Sequence, residues 1–272
     1  MASKATSSIQ VIARVARLLD TIAAHAEPVS LKTLSGATGL HPSTAFRILA
    51  SLIEHGFVER SAAGHYRLGI RLLQLGNQVH GRLDLRREAR PLMEKLRDQT
   101  GETVNLGIRQ GDDVVYVERV VATRLLRVEQ ASSGRLLLHV TAVGKLFLAD
   151  GGVTACRDYA SRTGLPARTP YSITALEPLW QAVCAVAHQG YAVDAQEAEL
   201  GVGCIGAPIR DASGRVVAGL SVSAPVGHCQ EVWIPLILHA AAVISARLGY
   251  TAPVTPDAAV SGPVVYPQRP HA

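Results

Sequence analysis

Cysteine is scarce in this chain, and the few cysteines are far apart. The 272 residues contain four of them, at least 20 residues apart and without a Cys-x-x-Cys pair: Cys156, Cys184, Cys204 and Cys229. A disulfide framework or a zinc site is therefore not predicted, and reduced thiols are expected. We predict no metal and no cofactor.

Long hydrophobic runs are also missing. No stretch is apolar over the length that a membrane span needs. Residues 1–8 are small and polar, without the apolar core of a secretory signal. We therefore expect a cytoplasmic protein with no membrane partner. Its length and its hydrophobic content of 48% allow two globular domains.

Excess positive charge is confined to the first third of the chain. Residues 1–90 hold 12 Lys and Arg against 6 Asp and Glu, whereas residues 91–272 hold 15 against 16. A basic balance limited to one part of a protein is typical of a phosphate-binding surface.

Apolar periodicity predicts a helix over residues 9–24. Its stripe is formed by Ile12, Val15, Leu19 and Ile22, which recur at three- and four-residue steps. Ser30 is a candidate N-cap for a short second helix. Gly39 suits the turn that follows it, because glycine adopts a positive φ readily. Pro42 suits the first position of a third helix.

The third helix has one apolar and one polar side. Its core side comprises Ala45, Ile48, Leu49 and Leu52, and the opposite side comprises Ser43, Thr44, Phe46 and Arg47. Short polar residues at the start and an arginine one turn later are typical of a recognition helix in the DNA major groove. Two short strands around Ser61–Gly64 then predict a wing.

We predict DNA contacts from Ser43, Thr44 and Arg47 on the helix and from Arg60 and Arg67 on the wing. A three-helix bundle with a hairpin and no DNA role is the alternative. For Arg60 and Arg67, ordinary surface charge is as good an explanation as DNA contact.

The pattern beyond residue 100 is that of an α/β domain. Strands are predicted at 103–108, 114–120, 191–193, 204–210 and 216–223, and helices at 141–149, 175–189 and 232–248. The predicted organisation is a disordered tail (1–8), a winged helix-turn-helix (9–69), a linker helix (70–84), a second domain (85–250) and a disordered, proline-rich tail (251–272).

Ordered motifs in both parts of the chain resemble the isocitrate lyase regulator (IclR) family of bacterial transcription factors. They are the helix-turn-helix run 31–49, the segments 56–60 and 66–69, and the second-domain segments 138–145, 190–209 and 219–225. The resemblance implies an α+β protein whose second domain is a GAF-like α/β domain. It also implies operator DNA and a small carboxylate as partners, and a homodimer or tetramer.

The resemblance further implies an effector pocket. It assigns the main-chain amides of Ala142 and Val143 to the pocket, with the polar side chains of Asp194, Cys204, Ser221 and Ser223. It assigns an apolar wall to Leu125, Val128, Leu136 and Val202. Ala142 departs from the glycine that relatives often have, and its methyl group would narrow the pocket.

The chemistry of these residues agrees with an anion site. The amides at a helix N-terminus bind carboxylates. Ser221 and Ser223 are two apart on a strand, so both hydroxyls face the same side. Asp194 could accept a hydrogen bond from the effector, and its charge would reject some anions.

Two other functions remain open at this point. The second domain could serve only for oligomerisation, which would leave a DNA-binding protein without an effector. Alternatively, Cys204, His139 and Asp194 could form a catalytic site of an enzyme, although no oxyanion hole accompanies them. We favour a ligand-controlled, non-enzymatic regulator, either repressor or activator.

Overall fold

The computed structural model describes residues 10–80, 84–122 and 135–252. They form two compact units, divided between Leu83 and Asp84, and each unit has its own core. The predicted tail at 1–8, nearly all of the tail at 251–272, and the predicted pocket residues Leu125 and Val128 lie outside the described residues. Within the described ranges, no helix combines the length and apolarity that crossing a membrane requires.

The first unit is a winged helix-turn-helix followed by a further helix. In chain order its elements are α1 (Gln10–Ala23), α2 (Leu31–Thr38), α3 (Pro42–Glu54), β1 (Val58–Arg60), β2 (Tyr66–Leu68) and α4 (Ile70–His80). The two strands pair antiparallel as the wing.

Local signals fix the ends of these helices as predicted. The Ser30 side chain accepts a hydrogen bond from the Thr33 amide at 3.1 Å and so caps α2. Gly39 ends α2 with a φ of 68°, which is a left-handed conformation. Pro42 is the first residue of α3. The helix-turn-helix geometry thus depends on a cap, a glycine and a proline that lie within residues 30–42.

The core of the first unit differs from the predicted stripe of α1 at one position. Leu18 and Ile22 are buried against Leu34 and Leu49, whereas Ile12 is 62% exposed. The predicted stripe from Ile12 to Ile22 is an apolar face of α1, but the core covers only part of it. That face is wider than the core which covers it, so the first turn of α1 presents apolar side chains at the surface.

The second unit contains a six-stranded antiparallel sheet with the order β5-β4-β3-β8-β7-β6. Its strands are β3 (Thr103–Gln110), β4 (Asp113–Val120), β5 (Arg135–Leu137), β6 (Ala192–Ala195), β7 (Val202–Arg210) and β8 (Val216–Pro225). Its helices are α5 (Leu85–Thr100), α6 (Ala142–Thr163), α7 (Leu176–Gln189) and α8 (Ile234–Arg247).

Helices cover both faces of this sheet. Strand β8 is buried along almost its whole length, so side chains on both of its faces are covered. The start of α6 packs on the face that carries Gly206 and Gly219, and α7 packs on α6. Since α5 and α8 also contact the sheet and each other, they cover the opposite face.

Replacement of two glycines of the first unit by alanine is predicted to change its stability in opposite directions. Gly36 lies in α2, and a Cβ added there would have no other atom within 4 Å. Because alanine favours a helix more than glycine does, Gly36→Ala should raise the free energy of unfolding by about 0.5–1 kcal/mol. A Cβ on Gly69 would collide with the Gly56 carbonyl oxygen and lie 2.9 Å from the Phe57 carbonyl carbon. Gly69→Ala should therefore destabilise the unit by about 1–3 kcal/mol.

Amide hydrogen exchange across α1–α3 reports the stability of this unit separately from the second one. Equal effects of the two substitutions, or stabilisation by Gly69→Ala, would contradict the close approach of Gly69 to the Gly56–Phe57 backbone.

Candidate functional site

The exposed side of α3 carries the predicted DNA-contacting residues. Ser43 and Arg47 are exposed and Thr44 is half-buried, while Ala45 and Leu49 on the other side are fully buried in the core. Burial of one side fixes the rotation of the helix. The predicted contact residues therefore face away from the core as one surface.

The side chains of the first turns of α3 differ in whether contacts within the first unit already occupy them. His41 Nδ1 lies 2.8 Å from the Ser43 hydroxyl, and the pair caps the helix. Arg47 has no ion-pair partner among the described residues. Its charge is therefore available to neutralise an external anion, whereas Ser43 already contributes to the end of the helix.

The wing holds its two arginines in different ways. Arg67 forms an ion pair with Glu59 at 2.7 Å across the hairpin. The Arg60 guanidinium lies over the Tyr66 ring, 5.6 Å from its centroid. The Glu59 carboxylate offsets the charge of Arg67, so Arg60 is the stronger cation of the wing.

Four of the predicted pocket residues share one face of the sheet. Strand register places Asp194 opposite Cys204, Cys204 opposite Ser223, and Gly206 opposite Ser221. Ser221 and Ser223 lie two residues apart on β8 and therefore point the same way. Three neighbouring strands thus bring Asp194, Cys204, Ser221 and Ser223 into one polar patch.

Hydrogen bonds connect part of this patch. The Ser223 hydroxyl lies 3.1 Å from the Cys204 sulfur and accepts a bond from Asn105 Nδ2 at 3.0 Å. Asn105 Oδ1 in turn accepts from Arg119 Nε at 2.9 Å. The sequence analysis missed Asn105 and Arg119. An asparagine between the apolar residues Val104 and Leu106 of a strand was the available signal, since a buried amide needs partners.

Ser221 differs from Ser223 in having no hydrogen-bond partner in the part of the chain that the structure describes. Its hydroxyl is buried, and no hydrogen bond to it is formed within the described residues. A buried polar group without a partner is unfavourable by about 1–3 kcal/mol. Ser221 is therefore the residue of this patch whose hydrogen-bonding capacity is unused.

The N-terminus of α6 lies directly over this patch. A Cβ on Gly206 would be 3.4 Å from Ala142 Cβ and 3.5 Å from Ser221 Cβ, so these two side chains flank the same glycine. Thr141 caps the helix by accepting from the Gly144 amide at 3.0 Å. The Ala142 and Val143 amides have no carbonyl of their own helix to bind, because the helix begins there. Ala142, the first residue of the helix, is therefore a neighbour of Ser221 across Gly206.

Ala142 and Val143 use their side chains for packing. The Val143 side chain lies against Gly219, where a Cβ would come within 2.6 Å of it, and against Gly107, where a Cβ would lie 3.1 Å from it. The Ala142 methyl group faces Gly206, which has space for it. Both residues can thus offer their main-chain amides to a ligand, while their side chains hold the helix on the sheet.

A buried ion pair fixes the segment that follows β6. Lys145 Nζ donates to Glu197 Oε1 at 2.5 Å and to the Val193 carbonyl at 2.8 Å. The Glu197 amide donates to Asp194 Oδ1 at 2.7 Å. Lys145 and Glu197 lie in the segments 138–145 and 190–209 that resemble the IclR family, but the sequence gave no role for either residue. Their contacts hold the Asp194 carboxyl group against the backbone of the segment that follows β6.

The pKa of Asp194 is raised to about 7, first by burial and then by the negative charge of Glu197. Below that pH the carboxyl group is protonated and can donate a hydrogen bond. Asp194 then does not repel an anionic ligand in the way that the sequence analysis expected of a charged carboxylate.

The hypothetical Cys204–His139 pair is not formed. His139 Nδ1 lies 2.7 Å from the Tyr159 hydroxyl and Nε2 lies 3.2 Å from the Pro166 carbonyl oxygen. Complete burial, aided by the charge of Asp194, raises the pKa of the Cys204 thiol well above its ordinary value. A neutral thiol is a poor nucleophile.

The predicted apolar wall is assembled only in part. Val202 packs in one cluster with Ala142 and Cys204. Leu136 lies on β5, which is the edge of the sheet opposite to the β6 edge that carries Asp194. The sequence does not reveal the order of strands in a sheet, so it did not predict the separation between Leu136 and Asp194.

Comparisons with known proteins agree on one family. Residues 11–62 match the IclR helix-turn-helix domain, and residues 77–246 match the C-terminal domain of bacterial IclR transcriptional regulators. The chain is 31% identical to the HTH-type transcriptional regulator XynR of Escherichia coli (strain K12), over 90% of this chain and 99% of XynR. It is 33% identical to the regulator KipR of Bacillus subtilis (strain 168), over 84% of this chain and 92% of KipR.

A solved structure shows the same arrangement of elements. It is an IclR homolog from Microbacterium hydrocarbonoxydans complexed with 4-hydroxybenzoate, and it is 28% identical to this chain with a TM-score of 0.56. The alignment covers 88% of this chain and 98% of that one. With a helix-turn-helix and a C-terminal domain that both match, the chain belongs to the IclR family of bacterial transcriptional regulators.

Proposed function

We propose that this regulator binds operator DNA through α3 and the wing, and that a small carboxylate bound at the N-terminus of α6 controls that binding. The observation that carries the proposal is the buried Ser221 hydroxyl, which has no hydrogen-bond partner among the described residues; its side chain flanks Gly206 together with Ala142, the first residue of α6. In the proposal this hydroxyl and the amides of Ala142 and Val143 donate to a carboxylate, which has the acceptors that they lack.

Charge in the first unit supports its part of this proposal. Arg47 lies on the exposed side of α3 without an ion pair to any described residue, and Arg60 is held on the wing. In this arrangement Arg47 and Arg60 neutralise phosphates. Thr44 contacts the DNA from the first turn of α3, while Ser43 holds that turn in place. Arg67 contributes less, because Glu59 already compensates its charge.

The donors around the pocket favour an anion bound by neutral groups. Lys145, whose charge acts on Asp194, is already paired with Glu197. A carboxylate would therefore be held by amide and hydroxyl hydrogens at a helix N-terminus, where the dipole favours negative charge. A protonated Asp194 would add one more donor. The related protein with bound 4-hydroxybenzoate makes an aromatic carboxylate the first candidate to test.

Apolar surface on the first unit supports assembly as a homodimer. Large hydrophobic side chains are about half exposed or more on α1 and α4: Val11, Ile12, Ile70 and Leu73. Exposed apolar residues grouped on helices are typical of protein–protein contacts. A two-fold dimer through these helices would cover them and present two recognition helices to a palindromic operator.

Substitution of Arg47 should weaken DNA binding and its dependence on salt. Arg47→Ala removes one cation from the interface, so the log–log plot of affinity against salt should become shallower by about 0.9. The measurement is fluorescence anisotropy of the full-length protein on duplexes that it has selected from random DNA, between low and moderate salt.

Arg215→Ala is the matched control, since Arg215 is an exposed arginine of the second unit. The control should retain the affinity and slope of the unmodified protein. An Arg47→Ala variant that does the same would show that Arg47 is not at the DNA.

Substitution of Ser221 should separate ligand binding from stability. Ser221→Ala removes an unpartnered hydroxyl, so the ligand-free protein should be as stable as before or slightly more so. The variant should bind the carboxylate about 10- to 100-fold more weakly, because one hydrogen bond to a charged group is lost. Calorimetry with 4-hydroxybenzoate and with small keto acids measures the affinity, and thermal unfolding measures the stability.

Ser223→Ala is the comparison, because its hydroxyl is bonded to Asn105 and lies against Cys204. This variant should lose about 1 kcal/mol of stability without ligand. Unchanged carboxylate affinity in Ser221→Ala would contradict the proposed pocket. A screen in which no carboxylate binds would instead favour a regulator without an effector.

A further inference from the structure

Phe46 is the one exposed aromatic side chain on the recognition helix. The chain has three phenylalanines. Phe57 packs against the helical core and Phe147 is buried in the second unit, whereas Phe46 is 46% exposed. A scattered apolar residue at the surface is ordinary. Its position on α3, within the surface that contains Arg47, is the feature to be explained.

The helical neighbours of Phe46 leave its ring uncovered on that surface. Residues three and four positions apart lie on the same side of a helix, so Ser43 and Ala50 flank Phe46 one turn before and one turn after. Both are exposed and both have short side chains. The ring therefore extends farther from the helix axis than these two neighbours and is accessible to a base edge in a groove.

Contacts within the unit do not account for this ring. Phe46 is not among the partly buried side chains that pack against the helical core. A groove of about 370 Å³ between α1 and α3 is lined by Thr44, Arg47 and Ile48 from this part of α3, and not by Phe46. Within the described residues the phenyl ring therefore has no structural role that requires an aromatic group.

We propose that Phe46 is a specificity-determining residue that packs on the C5-methyl group of a thymine in the operator. Among the base edges in the major groove, that methyl group is the apolar feature, and apolar side chains contact it. Arg47, the next residue in sequence, would contact the phosphate backbone. That contact would hold the Phe46 ring at the base edges. The inference rests on the proposed placement of α3 on DNA.

Deoxyuridine tests this contact directly, because it lacks only the methyl group of thymidine and pairs in the same way. Thymines of a selected duplex are replaced one at a time, and the full-length protein is titrated with each duplex. At one position in each half-site, the replacement should weaken binding about fourfold, which is the effect of one buried methyl-sized group. Phe46→Ala should bind more weakly and show no difference between the two bases there.

Two variants control for indirect effects. Phe46→Leu keeps an apolar side chain and should keep part of the preference for thymine. Arg47→Ala should weaken binding to both duplexes by the same factor, so the fourfold ratio should remain. Phe46 is exposed, so Phe46→Ala should unfold at the same temperature as the unmodified protein.

The outcomes that overturn the inference differ from those that overturn the function. A fourfold ratio that persists in Phe46→Ala, or the absence of any sensitive thymine, would overturn the thymine contact while the DNA surface stands. If Phe46→Ala and Arg47→Ala both bound DNA like the unmodified protein, the placement of α3 on DNA would fail together with the inference.

Discussion

The close approach of helix α6 to the sheet is the constraint on which the candidate pocket depends. Gly107, Gly206 and Gly219 have no side chains where α6 lies on them, and Val143 fills the space at two of these positions. Within α6, a Cβ on Gly144 would collide with the Leu138 backbone. Glycine on both sides therefore lets the first turn of α6 reach the strands, and this places Ala142, the first residue of α6, beside Ser221 across Gly206.

The polar groups around this contact are held by buried partners. Lys145 anchors the segment after β6 through Glu197 and the Val193 carbonyl, and Glu197 in turn fixes Asp194. A buried ion pair of this kind adds little net stability, and loss of one partner leaves an uncompensated charge. Its contribution here is positional, because it holds a carboxyl group with a raised pKa at the edge of the pocket. The raised pKa makes Asp194 a donor under conditions where most aspartates are acceptors.

The local parts of the fold were predictable because their causes are local. Ser30, Gly39 and Pro42 act on their own helix ends, so the sequence was sufficient to place the helix-turn-helix. The same holds for the shared face of Ser221 and Ser223, which follows from the two-residue period of a strand. The family resemblance then named Asp194 and Cys204, which strand register pairs, and Ala142, which packs in one cluster with Cys204.

The non-local parts were not predictable, because strand order and register decide them. Asn105 meets Ser223 across 118 residues of sequence, and Lys145 meets Glu197 across 52. Leu136 was expected in the pocket wall but lies at the far edge of the sheet. Ile12 had the correct spacing for the core but lies on a turn of α1 that the core does not cover.

The central claim is that carboxylate binding and operator binding are coupled in one protein. The direct measurement is a thermodynamic cycle with the full-length protein. Operator affinity is determined with and without saturating carboxylate, and carboxylate affinity is determined with and without saturating operator. The account predicts that both affinities change by the same factor, about 5- to 150-fold, because coupling between two sites is reciprocal. A carboxylate that binds tightly and leaves operator affinity unchanged would contradict the account.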